Sequence, residues 1–297
     1  MATVTQSGIH RRLRAVALGL AGLLAAAACW EIYKFLGPTE GVVIAGRTVL
    51  PRTSDLAMPH LWDMAARLFE PAVGQSGPPL WQAVAKAGLF SLRIAATGWL
   101  IGVLVGGALA IVMTRLRLAE AAVLPWIVLS QTVPLIAIAP LVRRWGGQLS
   151  TDSFEWESWY SVALISAYLA FFPVAVGLLR GLKSPDATHL DLMRTYGIGW
   201  WSTFLRLRLP ASVPYLLPAL RLAAAAAVIG DVVAEVSIGL RGGIGRMIIE
   251  YAQAASGDPA KPWAPIFGAV VLGLLAAGSV ALLGLALGRY RRTEVAG

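Results

Sequence analysis

Apolar residues run in long blocks along this chain, and polar punctuation separates them at near-regular intervals. The blocks are Ala15 to Phe35, Ala85 to Met113, Leu118 to about Leu141, Trp159 to Leu179, Tyr215 to about Ile238, and Ala264 to Leu287. Each is close to the roughly 20 residues that carry a helix across a bilayer, so about six spans are predicted. Ala15 to Phe35 has an alternative reading: three arginines precede it and Ala26-Ala27-Ala28-Cys29 resembles a lipoprotein cleavage site. The usual leucine before the cysteine is missing and apolar character continues past it, so an uncleaved first span is expected.

Composition agrees with the blocks. Of 297 residues 57% are hydrophobic and only 14% charged, which excludes an ordinary soluble domain. The formal charge of +9 then speaks to orientation more than to nucleic acid, because Lys and Arg gather on cytoplasmic loops. Arg11, Arg12 and Arg14, Arg115 and Arg117, the run from Arg180 to Arg208, and Arg289, Arg291 and Arg292 all fall on one side under this rule. Both termini are expected in the cytoplasm. Cys29 is the single cysteine and the three histidines are scattered, so neither a disulfide nor a zinc site is expected.

Several blocks carry internal signals. Gly98, Gly102 and Gly106 recur every four residues and predict a groove for close helix approach. Arg93 lies near the start of the same block and needs headgroups or an ion pair. Pro125, Pro134 and Pro140 each remove a helical hydrogen bond, so the third span is expected to be broken and to face protein or a water-lined path. Asp231 and Glu235 stand four residues apart on one helical face of the fifth span. They are candidates to line a translocation path, with Pro134 and Pro140, or to pair with Arg93, Arg221 or an arginine of a partner subunit. Between the blocks, Gly37 to Pro79 reads as a long external loop with a surface helix over Leu56 to Phe69, and Gly147 to Ser158 as an acidic insertion. GLRGGIGR, from Gly239, is a glycine-rich outer turn without the lysine of a phosphate loop.

The passage from His189 to Pro214 is amphipathic and basic. Ser184-Pro185-Asp186 predicts a helix start, with Pro185 in the first turn, and Gly197 its left-handed end. A second short helix carries Trp200, Trp201, Phe204 and Leu205 beside Arg206 and Arg208, and Pro210 is expected to close it. Such an elbow suits docking, though an ordinary juxtamembrane helix would share much of its composition.

Its spacing resembles the signature of permease subunits of binding-protein-dependent ABC importers: Glu-Ala-Ala, three residues, Gly, nine residues, Ile-x-Leu-Pro. Asp191, Gly197, Leu207, Leu209 and Pro210 follow that pattern, and Leu192 and Met193 depart from it, replacing alanines at the helix contact. A second run, QTVPLIAIAPLVRRWGG, is similar to the nitrate, sulfonate, taurine and pyrimidine-precursor branch at Pro134, Ala137, Pro140, Leu141, Trp145 and Gly146. Arg143 and Arg144 replace apolar residues there. The resemblance implies an all-α polytopic membrane bundle, with a cytoplasmic tail over residues 1–14, a transmembrane domain over 15–288 that includes the coupling elbow 184–210, and a tail over 289–297. It also implies a prokaryotic inner membrane, a second permease copy, an external solute-binding protein and a cytoplasmic ABC ATPase subunit. This chain has no G-x-x-x-x-G-K-[ST], so no cofactor is expected on it, and ATP and Mg²⁺ belong to the partner. Asp191, Arg194, Gly197, Trp200, Trp201, Phe204, Leu207, Leu209 and Pro210 would meet that ATPase. Two other classes stay open on the residues alone: an ion-coupled secondary transporter working through Asp231 and Glu235, and, more remotely, a membrane enzyme.

Overall fold

The computed structural model describes residues 3–44, 46–74 and 76–286. Its elements are α1 (Thr3–Leu36), β1 (Val42–Ile44), β2 (Arg47–Leu50), α2 (Leu61–Arg67), α3 (Leu80–Arg115), α4 (Arg117–Ser130), α5 (Leu135–Gly147), α6 (Ser158–Leu182), α7 (Ala187–Thr195), α8 (Trp200–Thr203), a π-turn (Phe204–Arg208), α9 (Leu209–Ile238), α10 (Ile244–Gln253) and α11 (Trp263–Ala286). Among the described residues five helices are long and apolar enough to cross a membrane, and six spans result if the bent pair α4–α5 counts as one. The chain is thus an all-α polytopic bundle. Residues up to Trp81 together with Tyr251–Ala264 pack as one unit. Gln82–Glu250 together with the stretch from Pro265 form another. Arg289, Arg291 and Arg292 lie outside the described residues, as do the side chains of Arg11 and Arg12.

In the first unit the segment after α1 folds back on the end of that helix. Lys34 Nζ donates to Asp55 Oδ1 at 2.6 Å and to the Thr53 carbonyl at 3.1 Å. Glu31 accepts from the Leu61 amide at 2.8 Å and lies 2.7 Å from His60 Nδ1, while Trp30 Nε1 donates to the Pro59 carbonyl. Arg67 reaches Asp258 at 2.6 Å. The loop expected over 37–79 therefore has structure of its own. It holds an antiparallel hairpin, β1–β2, and its helix spans 61–67 rather than 56–69. The hydrogen bond from Lys34, with the charge behind it, holds the exposed Asp55 carboxyl below its ordinary value. Its contribution is therefore present above the usual carboxylate range and lost as pH falls through the lowered folded value. The protection factor of the Thr53 amide, its rate corrected for intrinsic exchange, should be high at neutral pH and lower well below about pH 4, and Asp55→Asn should show the low protection at both.

The second unit is organised on α6. The glycine groove predicted on α3 faces it: a Cβ at Gly98 would lie 2.3 Å from Ser166 Cβ, at Gly102 2.6 Å from Ala170 Cβ, and at Gly106 2.5 Å from the Phe171 carbonyl oxygen. The same device joins α6 to α9, where a Cβ at Gly177 would meet Ala219 at 2.4 Å and one at Gly181 would meet Ser212 at 2.8 Å. Without a solvent-driven apolar force between helices in lipid, such close packing is what holds the spans together.

The third span is broken as expected, but its extent and the site of the break differ. It runs on to Gly147, and α4 and α5 meet at 103° across residues 131–134. Only Pro134 marks the break, while Pro125 and Pro140 sit inside helices that continue past them. Thr132 and Val133, both β-branched, precede Pro134, and a pre-proline residue already avoids the helical region. The broken end is satisfied locally: the Ser130 and Thr132 hydroxyls donate to the Ile127 and Leu129 carbonyls, and Tyr168 on α6 donates to the Ser130 carbonyl. Past α5, Trp156 packs its indole where a Cβ at Gly146 would stand and donates to Ser161 at 2.8 Å.

Candidate coupling elbow and buried carboxyl pair

Asp186 occupies the N-cap of α7, so Pro185 precedes the helix instead of sitting in its first turn. The Ser184 hydroxyl bonds the Gly181 carbonyl at 2.8 Å and does not cap α7. The far end is as predicted. Gly197 has φ +67°, and the Ile198 amide reaches back to the Met193 carbonyl at 2.9 Å, a Schellman closure. No atom lies within 4 Å of a Cβ built on Gly197, so the glycine is required by its backbone angle alone.

Beyond the glycine the second limb does not stop at Pro210. α8 passes through the π-turn into α9, giving one helical stretch from Trp200 to Ile238. The reason is local. Pro210 lacks the amide that would bond Arg206 and crowds that carbonyl, and the wider π-turn, closed by the Leu209 amide on Phe204, takes up the misfit. Arg208 donates to the Leu182 carbonyl at 2.8 Å, tying this turn to the end of α6.

The aromatic cluster divides. Phe204 is 5% exposed and stacks on Trp200 with centroids 5.2 Å apart, both packed on Met113, Leu178 and Leu182. Arg115 covers the Trp200 ring at 4.8 Å. These two rings belong to the chain's own core, against the expectation of an anchor for a partner. Trp201 is 59% exposed and Tyr196 75%, with Leu192 and Leu205 also exposed. Asp191 and Arg194 lie on the open surface and pair at 3.0 Å. Leu207, Leu209 and Pro210 are half-buried. Leu205 stands on the second limb as the sequence placed it, whereas Tyr196 was not singled out there, where only its place beside the helix-ending Gly197 marks it.

Asp231 and Glu235 share a helical face as predicted, and both are fully buried. Their surroundings differ. Glu235 Oε1 accepts from the Ser91 hydroxyl at 2.8 Å and Oε2 from the Gly245 amide at 2.7 Å. Ser91 in turn accepts from the Ile244 amide at 2.9 Å. The carboxyl thus fixes the first amides of α10 and ties α3, α9 and α10 at one point. The glycine-rich turn exists to admit it: a Cβ at Gly243 would stand 1.9 Å from Glu235 Oε1. Neither Asp231 oxygen has a hydrogen-bond partner among the described residues, and Asp231 pairs with neither Arg93 nor Arg221. Pro134 and Pro140 belong to the bent α4–α5 pair, and Pro140 borders a cavity with Arg143, Ser237 and Ile238, just beyond Glu235 on α9.

Residues 98–290 match the family described as binding-protein-dependent transport system inner membrane component. The chain belongs to this family. The formylaminopyrimidine transport permease protein ThiX of Halalkalibacterium halodurans is 32% identical over 208 residues, 69% of this chain and 77% of that protein. The putative aliphatic sulfonates transport permease protein SsuC of Bacillus subtilis is 30% identical over 203 residues, covering 68% and 69%. The nitrate import permease protein NrtB of Leptolyngbya laminosa is 26% identical over 222 residues, covering 75% and 71%. A crystal structure of an amino acid ABC transporter with histidines superposes with a TM-score of 0.53 at 17% identity. The match spans 69% of this chain and 94% of that one, and it shows the shared fold. As a member of the binding-protein-dependent permeases, this chain is a multi-pass inner-membrane component of an ABC importer. Family membership, and not the carboxyl pair, is what places the chain among the permease components of ABC transporters.

Proposed function

We propose that this permease forms the translocation path of an ATP-driven importer for a small solute: a sulfonate, taurine, nitrate or a pyrimidine-type compound. The relatives named above support that range. An external binding protein delivers the solute, a second copy of the permease completes a homodimeric path, and both termini face the cytoplasm. ATP and Mg²⁺ are held by a separate ATPase subunit docked on the elbow 184–210. No nucleic acid takes part, and the bilayer is the chain's solvent.

The observation that carries this reading is the elbow's exposed face. The paired Asp191 and Arg194 are exposed with Tyr196 and Trp201 on a bend fixed by Gly197, and the limb behind them is continuous with a span. Exposed aromatic and charged side chains on a rigid bend suit a partner cleft. Co-purification with its cognate ATPase is the test. Asp191→Arg should weaken capture by about tenfold through charge reversal at the contact. Gly197→Pro, which cannot adopt φ +67°, should abolish it while the protein still inserts. Unchanged capture and unchanged substrate-stimulated ATP hydrolysis in both variants would remove the elbow from the coupling path.

A further inference from the structure

One face of α3, formed by Phe90, Arg93, Ile94 and Thr97, borders a cavity of about 270 Å³ whose other wall is Glu157 and Trp159 at the start of α6. Two opposite charges therefore line one small space. They do not neutralise each other: Arg93 and Glu157 form no ion pair, which places their charged atoms more than 4.0 Å apart. Neither side chain hydrogen-bonds another described residue. Glu157 is the N-cap residue of α6, where a carboxylate ordinarily turns inward onto the first free amides, yet it makes no capping bond. Its carboxylate remains available to the cavity.

The chemistry of the walls defines the occupant. A guanidinium offers a planar fork of donors that matches an oxyacid anion. A carboxylate offers acceptors to an ammonium, and the faces of Phe90 and Trp159 favour a cation beside them. The volume lies below the range of drug-sized pockets, so only a small molecule or a headgroup fits. We propose that this cavity binds a zwitterion in which one molecule carries both an oxyacid anion, held by Arg93, and an ammonium, held by Glu157. A free aminosulfonate and the headgroup of phosphatidylethanolamine both present that chemistry. The assignment concerns binding alone and does not rest on the transport reading.

The test uses the full chain, purified and delipidated in detergent, with two probes. Taurine is titrated calorimetrically against ethanesulfonate, which lacks the ammonium. Retention of phosphatidylethanolamine is compared with phosphatidylglycerol by native mass spectrometry. At least one zwitterionic probe should bind in preference to its control. Arg93→Gln should weaken it by about tenfold or more, and Glu157→Gln should erase the preference over the control. Arg93→Lys keeps the charge but not the fork, and it should also weaken binding, which serves if the glutamine variant accumulates poorly. Taurine binding without lipid retention assigns a free solute, and retained phosphatidylethanolamine that taurine does not displace assigns a lipid. Binding of neither zwitterion, or equal binding by the native chain and all three variants, overturns the proposal.

Discussion

Gly106→Ala should lower the stability of the bundle by about 2–3 kcal/mol, while Gly107→Ala, one position along, should leave it unchanged or slightly raised. The added methyl at 106 lies 2.5 Å from the Phe171 carbonyl and 3.0 Å from the Ala175 amide, and backbone on both sides cannot yield as a flexible side chain would. At 107 the nearest atom is a Leu178 methyl at 3.9 Å, an ordinary contact, and the helix gains from losing a glycine. Both changes insert the same group into the same helix, so intrinsic propensity and membrane insertion cancel from the comparison. Unfolding in mixed micelles by a titrated denaturing detergent measures the difference. Equal stability of the two variants would mean that α3 does not pack on α6 through this face.

Glu235→Ala should be the second large effect, lowering stability by about 2–4 kcal/mol. Two buried donors, the Ser91 hydroxyl and the Gly245 amide, would lose their acceptor at a point closed to solvent. Amide exchange should accelerate at residues 244–247, at the start of α10, before it changes elsewhere. Glu235→Gln should fall between the two, because one amide oxygen can serve a donor while the new NH₂ confronts another. Gly243→Ala should produce the same local defect from the opposite side, since its methyl would occupy the place of Glu235 Oε1. Combined with Glu235→Ala it should do less damage than the two single effects summed, because the clash disappears with the carboxyl. Strict additivity would show that the turn and the glutamate are not packed together.

What could be read from the sequence follows how local each determinant is. Gly98, Gly102 and Gly106 were legible because a four-residue spacing places them on one face whatever lies opposite. Gly197 was legible because a left-handed helix end is a property of one residue. The spans were legible from length and apolarity, though their ends were not: α3 starts at Leu80 and α6 ends at Leu182, beyond the limits that hydropathy set. Pro210 was misread because its effect depends on whether a neighbouring turn can widen, which no single residue announces. The same holds for Pro125 and Pro140. The hairpin over 42–50 left a signal, Val-Val-Ile and Thr-Val-Leu around a glycine at φ +76°, that the search for membrane spans passed over. Ser91 and Gly243 could not be linked to Glu235 by spacing, since Ser91 lies 144 positions away and meets it only once α3 and α9 are packed. Phe204 and Trp201 are three residues apart and equally aromatic, and only the neighbouring core decides which one turns inward.

The unbroken passage from the elbow into α9 has a mechanical consequence. Trp201 and Glu235 ride on one rod, separated by roughly 50 Å of helix at 1.5 Å per residue. If the rod rocks about its middle, each degree of tilt moves its two ends by about 0.5 Å in opposite directions. A few degrees imposed at the tryptophan would then exceed the tolerance of the hydrogen bonds that Glu235 makes with Ser91 and Gly245. The junction of α3, α9 and α10 would have to open or travel with it, so the far side of the membrane feels the elbow without any signal passing between neighbouring side chains.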